Sequence, residues 1–407
     1  MCQLPKRLLS IILCTVLLLL GGCWNRREVE TLAFVTAAGI DQAARPGKIQ
    51  VTVQIAKPAA LAASSMGGSV LERASWLVTS TGDTVFEAVR NFSGQSSRRL
   101  FWAHKRWLIL GEELAKEGVE DVLDFFARDG ETRRTAKLAI VKDGKASDFL
   151  QTESEMERLS SQAYAGILEN SSIGLSTVVD VDLHHFLLAL ASEGIEPVAV
   201  RVEVIDRLPD VDIRGQMEQR FVSSAPRITG AAVFRGPKLV GWLDKQETRG
   251  YNWVMGKVES GIIVIEKPGH EGKYVGLELI RAKSEIKPEM TDGKPEITVK
   301  VVAEANIGDI QEMLDVTDTK AMVASAERRM ATVIANEIGL VLHKTQLELA
   351  SDILGFGRAI YRKYPKEWRN LRETWNDQGF KDLKVKVEVQ TRIRHIGLDE
   401  IGLPAGR

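Results

Sequence analysis

Alternating apolar and polar residues predict most of the strands in this chain. In residues 49–55 every second position is isoleucine or valine, which is typical of a strand with one buried face. The same period of two recurs in residues 297–305 and in residues 383–389, where polar residues separate the valines of the closing strand. Shorter apolar runs predict further strands at residues 31–40, 76–79, 100–110, 136–141, 198–204, 228–234, 239–243, 261–266 and 273–286.

Apolar residues spaced by three and four positions predict the longer helices. One helix is expected over residues 119–127, helical periodicity extends through residues 153–191, and a long amphipathic stripe begins near Thr319. The apolar face comprises Val119, Val122, Leu123 and Phe126 in the first of these, and Val323, Ala326, Met330, Val333, Ile334, Ile338 and Val341 in the last.

Capping residues predict where three shorter helices begin. Asp83 and Asp244 are expected to cap helices that end near residues 91 and 255, and Pro365 suits the first turn of another. Two sets of residues are expected to share a helix face: Val181, His185 and Leu188 with Leu183, Phe186 and Leu187 beside them, and Trp368, Leu371 and Trp375 near the C-terminus.

Two stretches of unusual composition predict breaks between packed units. Residues 59–69 (AALAASSMGGS) contain little bulk and two glycines, so we expect a mobile loop. Residues 206–219 (DRLPDVDIRGQMEQ) are polar, which favours an exposed connection and the main domain boundary. The predicted units are a leader at residues 1–22, an N-terminal α/β domain at 23–150, a middle subdomain at 151–215 and a C-terminal domain at 222–400.

The order of these elements predicts an α+β fold. We expect two to three mixed α/β domains with antiparallel-rich sheets, and a long C-terminal helical region that ends in a strand. The two halves of the chain show no internal repeat.

The N-terminus resembles the leader of a lipid-anchored protein. Lys6 and Arg7 precede an apolar run at residues 8–20, and two glycines then lead to Cys23. In lipoprotein processing the Cys23 thiol would receive a diacylglycerol and the bond after Gly22 would be cut. A retained membrane helix is disfavoured, because a helical crossing needs about 20 apolar residues. Cleavage without lipidation is the other alternative.

Charge and cysteine content narrow the possible functions. The chain has 54 basic and 55 acidic residues, and removal of the leader takes away Lys6 and Arg7 but no acid. The processed body is therefore nearly neutral and lacks the basic excess that nucleic-acid binding requires. Cys2 and Cys14 leave with the leader, so Cys23 has no cysteine in the body with which to form a disulfide.

The sequence contains no recognisable metal, cofactor or catalytic motif. None of the six histidines has ligand spacing, and the adjacent His184 and His185 would point about 100° apart on a helix. No serine has the flanks of a nucleophile elbow. Gly355 and Gly357 begin like a dinucleotide fingerprint, but the third glycine and the preceding strand are missing. We therefore predict no catalytic activity, no metal and no cofactor.

Several separated motifs resemble the Ger(x)C family of spore germination lipoproteins, the C subunits of germinant receptors. The N-terminal motifs are residues 22–28 (GCWNRRE) and 35–41 (VTAAGID). Residues 229–234 (TGAAVF) and 239–251 (LVGWLDKQETRGY) match in the middle, and residues 352–368 (DILGFGRAIYRKYPKEW) match near the end. The order and separation of these motifs are more specific than any one of them.

The resemblance implies a non-enzymatic subunit of a membrane receptor complex. Its members are anchored by lipid to the outer face of the spore inner membrane, beside integral membrane A-type and B-type (permease-like) subunits. The complex senses nutrients such as amino acids or sugars and starts germination. The resemblance also implies three α/β domains, with divisions near residues 150 and 210, and it transfers one functional position, the lipidated Cys23.

Residues 358–375 are the candidate surface for contact with a partner. They combine six basic residues with four aromatic ones, a composition that favours interfaces, and the candidate contacts are Arg358, Arg362 and Lys363. The alternative is a helix pair whose aromatic residues fill the core while its charges are solvated. The shared face of Trp368 and Trp375 favours this alternative.

Two other classes of function remain open from the sequence. A lipid-anchored solute-binding protein that delivers a nutrient to a permease would need a cleft between domains with converging polar groups. A cell-wall enzyme would need a metal or paired buried carboxylates.

Overall fold

The computed structural model describes residues 28–65, 74–154, 156–206, 224–268, 270–311 and 319–395. Cys23 and the leader lie outside these residues, as does most of the predicted connection at residues 206–219. Within the described ranges, no helix combines the length and apolar character that a membrane crossing demands.

A nine-stranded sheet forms the larger part of the molecule. Its main path runs β3-β2-β1-β5-β6-β7-β8-β9, with the short β4 paired to β1. The strands from β1 through β5 and β6 to β7 are parallel, and the outer pairs are antiparallel. The nine strands are β1 Leu32–Gln42, β2 Ile49–Ala56, β3 Ser75–Gly82, β4 Arg99–Phe101, β5 Trp107–Gly111, β6 Lys137–Val141, β7 Val198–Asp206, β8 Ser224–Arg235 and β9 Lys238–Leu243.

A second sheet of four strands lies in the C-terminal half, in the order β10-β11-β12-β13. The last pair, β12 with β13, is parallel and the others are antiparallel. The strands are β10 Gly261–Glu266, β11 Tyr274–Thr291, β12 Lys294–Ile310 and β13 Lys384–Ile393. The predicted α+β class, with a long C-terminal helix followed by a strand, is confirmed.

The helices cover both faces of the large sheet and the inner face of the small one. One face of the large sheet packs Trp107 and Ile109 against Tyr164 and Leu168, whereas the other joins the core of the C-terminal half. The helices are α1 Pro58–Ser65, α2 Val85–Asn91, α3 Glu112–Glu117, α4 Glu120–Arg128, α5 Ala146–Gln151, α6 Ser160–Leu175, α7 Leu183–Leu190, α8 Lys245–Met255, α9 Thr319–His343, α10 Phe356–Lys363 and α11 Pro365–Leu371.

Several predicted elements are confirmed by the burial of their apolar faces. The four apolar residues predicted for the helix at 119–127 are buried, and Ala326, Met330, Ile334, Ile338 and Val341 of the long stripe are 0% exposed. Asp244 caps α8 in a capping box with Glu247. The amphipathic patterns therefore identified the faces on which these helices pack.

The predicted loop at residues 59–69 is wrong over its first part. Pro58–Ser65 form the helix α1, while residues 66–69 lie outside the described ranges. Proline is favoured in the first turn of a helix, and alanine has the highest helix propensity. The small side chains that argued against packing thus favour a helix.

The single strand predicted at residues 100–110 is also wrong. Its two ends are separate strands, β4 and β5, joined by a 3-10 turn at Trp102–His104. The Lys105 amide donates to the Trp102 carbonyl at 3.0 Å and closes this turn. Both strands pair in parallel with β1, at Leu32–Phe34 and at Ala37–Ile40.

Strand β2 is buried on both faces, although its alternation predicted one. Thr52 and Gln54 are 3% and 1% exposed. The Thr52 hydroxyl bonds that of Thr79 on β3, and the Gln54 Oε1 accepts from the Thr36 hydroxyl. Polar side chains can alternate in a fully covered strand when neighbouring residues bond to them, although the Gln54 Nε2 has no hydrogen-bond partner among the described residues.

Two helix predictions need adjustment. Thr84 rather than Asp83 caps α2, since its side chain accepts from the Glu87 amide. The helical stretch at 153–191 is divided into α6 and α7, and α7 buries Leu183 and Phe186 while His185 and Leu188 are exposed. The exposed pair contradicts the face predicted for this helix.

The large sheet continues across the predicted boundary near residue 210. β7 and β8 flank that connection and pair with each other, with Val198 opposite Val233 and Asp206 opposite Ser224. The predicted domain limits remain a prediction, and the first two strands after the connection belong to the N-terminal sheet.

Candidate functional site

The candidate cations lie on α10, whose start requires two glycines. Gly355 precedes the helix with a left-handed φ of 69°, which glycine adopts without strain. At Gly357 a Cβ atom would lie 2.7 Å from atoms of both Trp368 and Trp375. These glycines let the chain turn tightly beneath two indole rings.

Asp352 holds this turn from inside the protein. Its side chain is 0% exposed and accepts from the Phe356 amide at 3.1 Å, the Gly357 amide at 2.7 Å and the Trp375 Nε1 at 2.9 Å. Burial raises the pKa of Asp352 to about 6, although these three donors favour the charged form. The carboxylate therefore serves as an internal cap for α10.

A network of bonds connects this cap to the large sheet. Asn376 accepts from the Asp352 amide at 3.1 Å and donates to Glu196 Oε1 at 2.6 Å. The Glu196 amide donates to the Asp352 carbonyl at 2.9 Å, and its carboxylate accepts from the Gly236 amide at 2.5 Å. We call Glu196, Asp352, Trp375 and Asn376 the Asp352 cluster.

The three candidate cations occupy different environments. Arg362 is exposed, whereas Arg358 is half-buried and its amide donates to the Gly194 carbonyl at 2.7 Å. The Lys363 ammonium donates to the Pro288 carbonyl at 2.8 Å on the edge of the small sheet. The structure thus brings all three onto one short helix, where Arg362 and Lys363 are exposed and Arg358 is half-buried.

The two tryptophans of this segment belong to the core, whereas Tyr361 is 43% exposed. Trp368 is 2% exposed and its Nε1 donates to Glu193 at 2.7 Å, while Trp375 is 3% exposed. Their rings meet edge to face, with centroids 5.2 Å apart. This arrangement agrees with the helix-pair alternative for the tryptophans, and the contact role of the three cations stays a prediction.

A second candidate site, which the sequence did not indicate, is a groove between α2 and α4. We call it the α2–α4 groove; its volume is about 1410 Å³. Phe86 on α2 is 54% exposed and faces Phe125 on α4, with ring centroids 6.0 Å apart. The apolar lining comprises Ile49, Val85, Phe86, Val89, Phe92, Leu100, Trp102 and Phe125.

Charged side chains surround the groove, and most of them already have partners. Arg128 bonds Asp124 at 2.7 Å, and Arg99 bonds Glu131 at 2.6 Å. The guanidinium of Arg90 lies 5.0 Å from the centre of the Phe86 ring. These contacts compensate the charges of Arg99 and Arg128 within the protein itself.

Lys105 is a buried cation close to the base of this region. Its Nζ lies 3.8 Å from the centre of the Phe126 ring and has no hydrogen-bond partner. Burial lowers the pKa of Lys105 to about 7, against the opposing effect of Asp129. The sequence pattern did not predict the burial of Lys105, because this residue lies in the middle of the strand predicted at residues 100–110.

The buried carboxylates each serve a local structural purpose. Asp41 accepts from the amides of Ala146 and Ser147 at 2.7 and 2.9 Å, and burial raises its pKa. Glu337 accepts from Arg249 at 2.9 Å and from the Trp253 Nε1 at 2.9 Å. They cap or brace helices and do not form a pair across a cavity.

The histidines offer no metal site in the part of the chain that the structure describes. All six are exposed. Within the same residues no group of three or more histidine, cysteine, aspartate or glutamate side chains could hold an ion.

Two family models match most of the chain. The spore germination protein N-terminal domain matches residues 25–204, and the C-terminal domain described as spore germination B3/GerAC like matches residues 229–397. The chain belongs to this spore germination protein family. The resemblance predicted from the motifs is thereby confirmed, and the gap between the two models contains the predicted connection.

Relatives within the spore germination family align over nearly the whole chain. Spore germination protein KC of Bacillus subtilis (strain 168) is 30% identical, with 97% of this chain and 96% of that protein covered. Spore germination protein B3 of the same organism is 24% identical, with 94% and 96% covered. The crystal structure of the GerBC protein matches with a TM-score of 0.55 at 20% identity, covering 88% of this chain and 98% of that one, and shows the same fold.

Proposed function

We propose that this protein is a lipid-anchored, non-catalytic subunit of a membrane germinant-receptor complex that nutrient-triggered spore germination requires. The observation that carries the proposal is the similarity to spore germination protein KC across 97% of the chain. The leader that ends in Gly22 and Cys23 supports the anchored part of the proposal.

The proposed anchor is a diacylglycerol on Cys23 that holds the body at the outer face of the spore inner membrane. Two acyl chains give a far more stable attachment than one, since each buried methylene contributes about 0.8 kcal/mol. A body tethered in this way has a high effective concentration beside integral membrane A-type and B-type (permease-like) subunits. Weak contacts through its surface then suffice to maintain a complex.

Replacement of the anchor residue tests this proposal directly. Cys23→Ala is expected to leave the body folded, because Cys23 has no cysteine partner in the body, but to abolish lipid labelling and membrane retention. Incorporation of a radioactive fatty acid measures the first effect and membrane fractionation of spores the second. Equal label in the wild type and the variant would overturn the lipoprotein assignment.

Co-purification addresses the complex itself. Detergent extracts of spore membranes are expected to yield the wild-type protein together with A-type and B-type subunits. Recovery of the protein alone, under conditions in which the two membrane subunits remain associated with each other, would contradict the proposed complex.

Calorimetry distinguishes the subunit from a solute-binding protein. The α2–α4 groove lies within the N-terminal half of the chain and not between the two sheets, and Arg99 and Arg128 at its rim are already bonded to Glu131 and Asp124. We therefore expect residues 24–407 to show no measurable heat with single amino acids or sugars. A micromolar response to any of these nutrients would favour the solute-binding alternative.

A further inference from the structure

The α2–α4 groove exposes apolar surface that the described residues of the chain leave uncovered. Phe86 is 54% exposed although it lies directly beside the core residues Val85 and Phe92, which are 3% and 1% exposed. Exposed aromatic residues above an apolar floor, with arginines at the rim, are typical of the centre of a protein interface. The groove therefore has the composition of a binding surface.

The rim charges indicate what kind of occupant fits. Arg99, Arg128 and Asp83 are bonded to Glu131, Asp124 and Lys48 within the protein. A small charged ligand would have to compete with these bonds, whereas apolar side chains can enter between Phe86 and Phe125 without breaking them. The occupant should therefore offer apolar side chains with polar groups at its edges.

The position of the groove indicates where the occupant comes from. Arg99 and Leu100, which line it, pair with Leu32 and Ala33 at the start of β1. Leu32 is nine residues from Cys23, so this wall of the groove lies within about 30 Å of the proposed anchor at roughly 3.3 Å per extended residue. A segment that emerges from the membrane beside the anchor can reach it.

The size of the walls sets the length of the occupant. α2 has 7 residues and α4 has 9, which correspond to about 10 and 14 Å at 1.5 Å per residue. A helix of about two to two and a half turns spans the same length and can place apolar residues at positions i, i+3, i+4 and i+7 in a groove.

We propose that the α2–α4 groove is the docking site for the apolar face of a short amphipathic helix of an integral membrane subunit. The inference rests on the proposed function, since it assumes that the chain is held beside such a subunit. Phe86 is the central contact, and Phe125 forms the opposite wall.

Site-specific photocrosslinking tests the docking site in intact spore membranes. A benzoylphenylalanine at position 86 is expected to form a covalent adduct with a membrane subunit. The matched control is position 188, because Leu188 is 52% exposed on α7, away from the groove. No adduct is expected from position 188.

A substitution gives a second, independent measurement. Phe86→Asp is expected to reduce co-purification with the membrane subunits at least tenfold without changing the melting temperature, since the side chain is mostly exposed. Leu188→Asp, with the same change of charge, should co-purify like the wild type. Normal co-purification of a folded Phe86→Asp variant would overturn the docking site.

The outcomes separate this inference from the proposed function. If the protein co-purifies with membrane subunits but position 86 gives adducts only with lipid, with a second copy or with nothing, the docking site is wrong and the subunit assignment stands. If the wild type does not co-purify at all, both are wrong. An adduct from position 86 with a membrane subunit, absent from position 188, supports both.

Discussion

The segment at residues 358–375, which the Asp352 cluster holds in place, and the α2–α4 groove contain similar residues but differ in how far these are buried. Each combines aromatic rings with arginine side chains, yet Trp375 is 3% exposed and Phe86 is 54% exposed. The indole nitrogen of Trp375 donates to a buried carboxylate, so the ring can be enclosed without losing a hydrogen bond. The comparison teaches that aromatic and basic composition identifies an interface only when the side chains are not already satisfied inside the fold.

Removal of one charge from the Asp352 cluster should produce the largest effect. Asp352→Asn replaces an acceptor oxygen by an amide that faces donors from Gly357 and Trp375. We expect a loss of about 3 kcal/mol in the free energy of unfolding, because buried donors are left without acceptors. Urea denaturation measures the change.

The matched control is Asp377→Asn in the same segment. Asp377 pairs with Arg235 at 2.7 Å, but its side chain is 61% exposed, and exposed ion pairs typically contribute about 0.2–1 kcal/mol. Wild-type stability in Asp352→Asn would show that the cluster does not hold α10, and the contrast with the groove would disappear.

The closing strand, β13, provides a position whose burial lies between that of Trp375 and that of Phe86. Val387 on β13 is half-buried and packs against the core beneath α9. Val387→Asp should cost about 2 kcal/mol, since it places a charge where apolar burial contributes about 1.5–3 kcal/mol. Lys386→Asp faces water one residue earlier and should cost less than about 1 kcal/mol. Thermal melting that ranks the two variants in reverse order would show that the strand register is wrong.

The dependence of stability on pH sharpens the comparison further. Folding raises the pKa of Asp352 from 3.8 to about 6, so protonation favours the folded state. This contribution is fully present below pH 3.8 and is lost as the pH rises through about 6. The free energy of unfolding should therefore fall over this range, by at most about 1.4 kcal/mol per pH unit from this group.

Asp352→Asn should lack this component of the pH dependence, whereas the groove variant Phe86→Asp should retain it. Urea titrations at pH 4, 5, 6 and 7 compare the slopes of the two variants with that of the wild type. Identical slopes in all three proteins would assign the pH dependence to other groups.

Charge reversal on α10 should have the smallest effect on stability. Arg362→Glu changes an exposed side chain, so we expect a change of a few tenths of a kcal/mol. If α10 also contacts a partner, the folded variant should fail to germinate, and Arg358→Glu and Lys363→Glu should behave similarly. Lys320→Glu, also exposed, is the control. Normal germination of all three reversal variants would remove α10 from the interface.

The sequence predicted those elements whose signal is local. The stripe from Ala326 to Val341 and the alternation in β13 follow directly from helical and strand periods, and both have the predicted faces. The Asp352 cluster could not be predicted in this way, because Asn376 and Glu196 are separated by 180 residues. Nothing near Asp352 in the sequence reveals which distant groups will surround it.

The α2–α4 groove was missed for a different reason. The helix over residues 85–91 was predicted, but its periodicity alone does not show that Phe86 lies outside the core while Val85 lies within it. Residues 100–110 were predicted as one strand. The turn at Trp102–His104, which separates β4 from β5 and contributes Trp102 to the lining of the groove, was therefore not predicted. A groove formed by three elements can be predicted only when the relative positions of those elements are known.

The pairing of β7 with β8 governs when this protein can finish folding. A growing chain that has just completed residue 204, where the N-terminal family match ends, lacks β8, the strand that pairs with the outer edge of β7. That edge stays open until β8, which ends at Arg235, has been made, and open edges favour pairing with other chains. We therefore expect the two family regions to fold together. A fragment that ends between them should aggregate and should not fold as a smaller working protein.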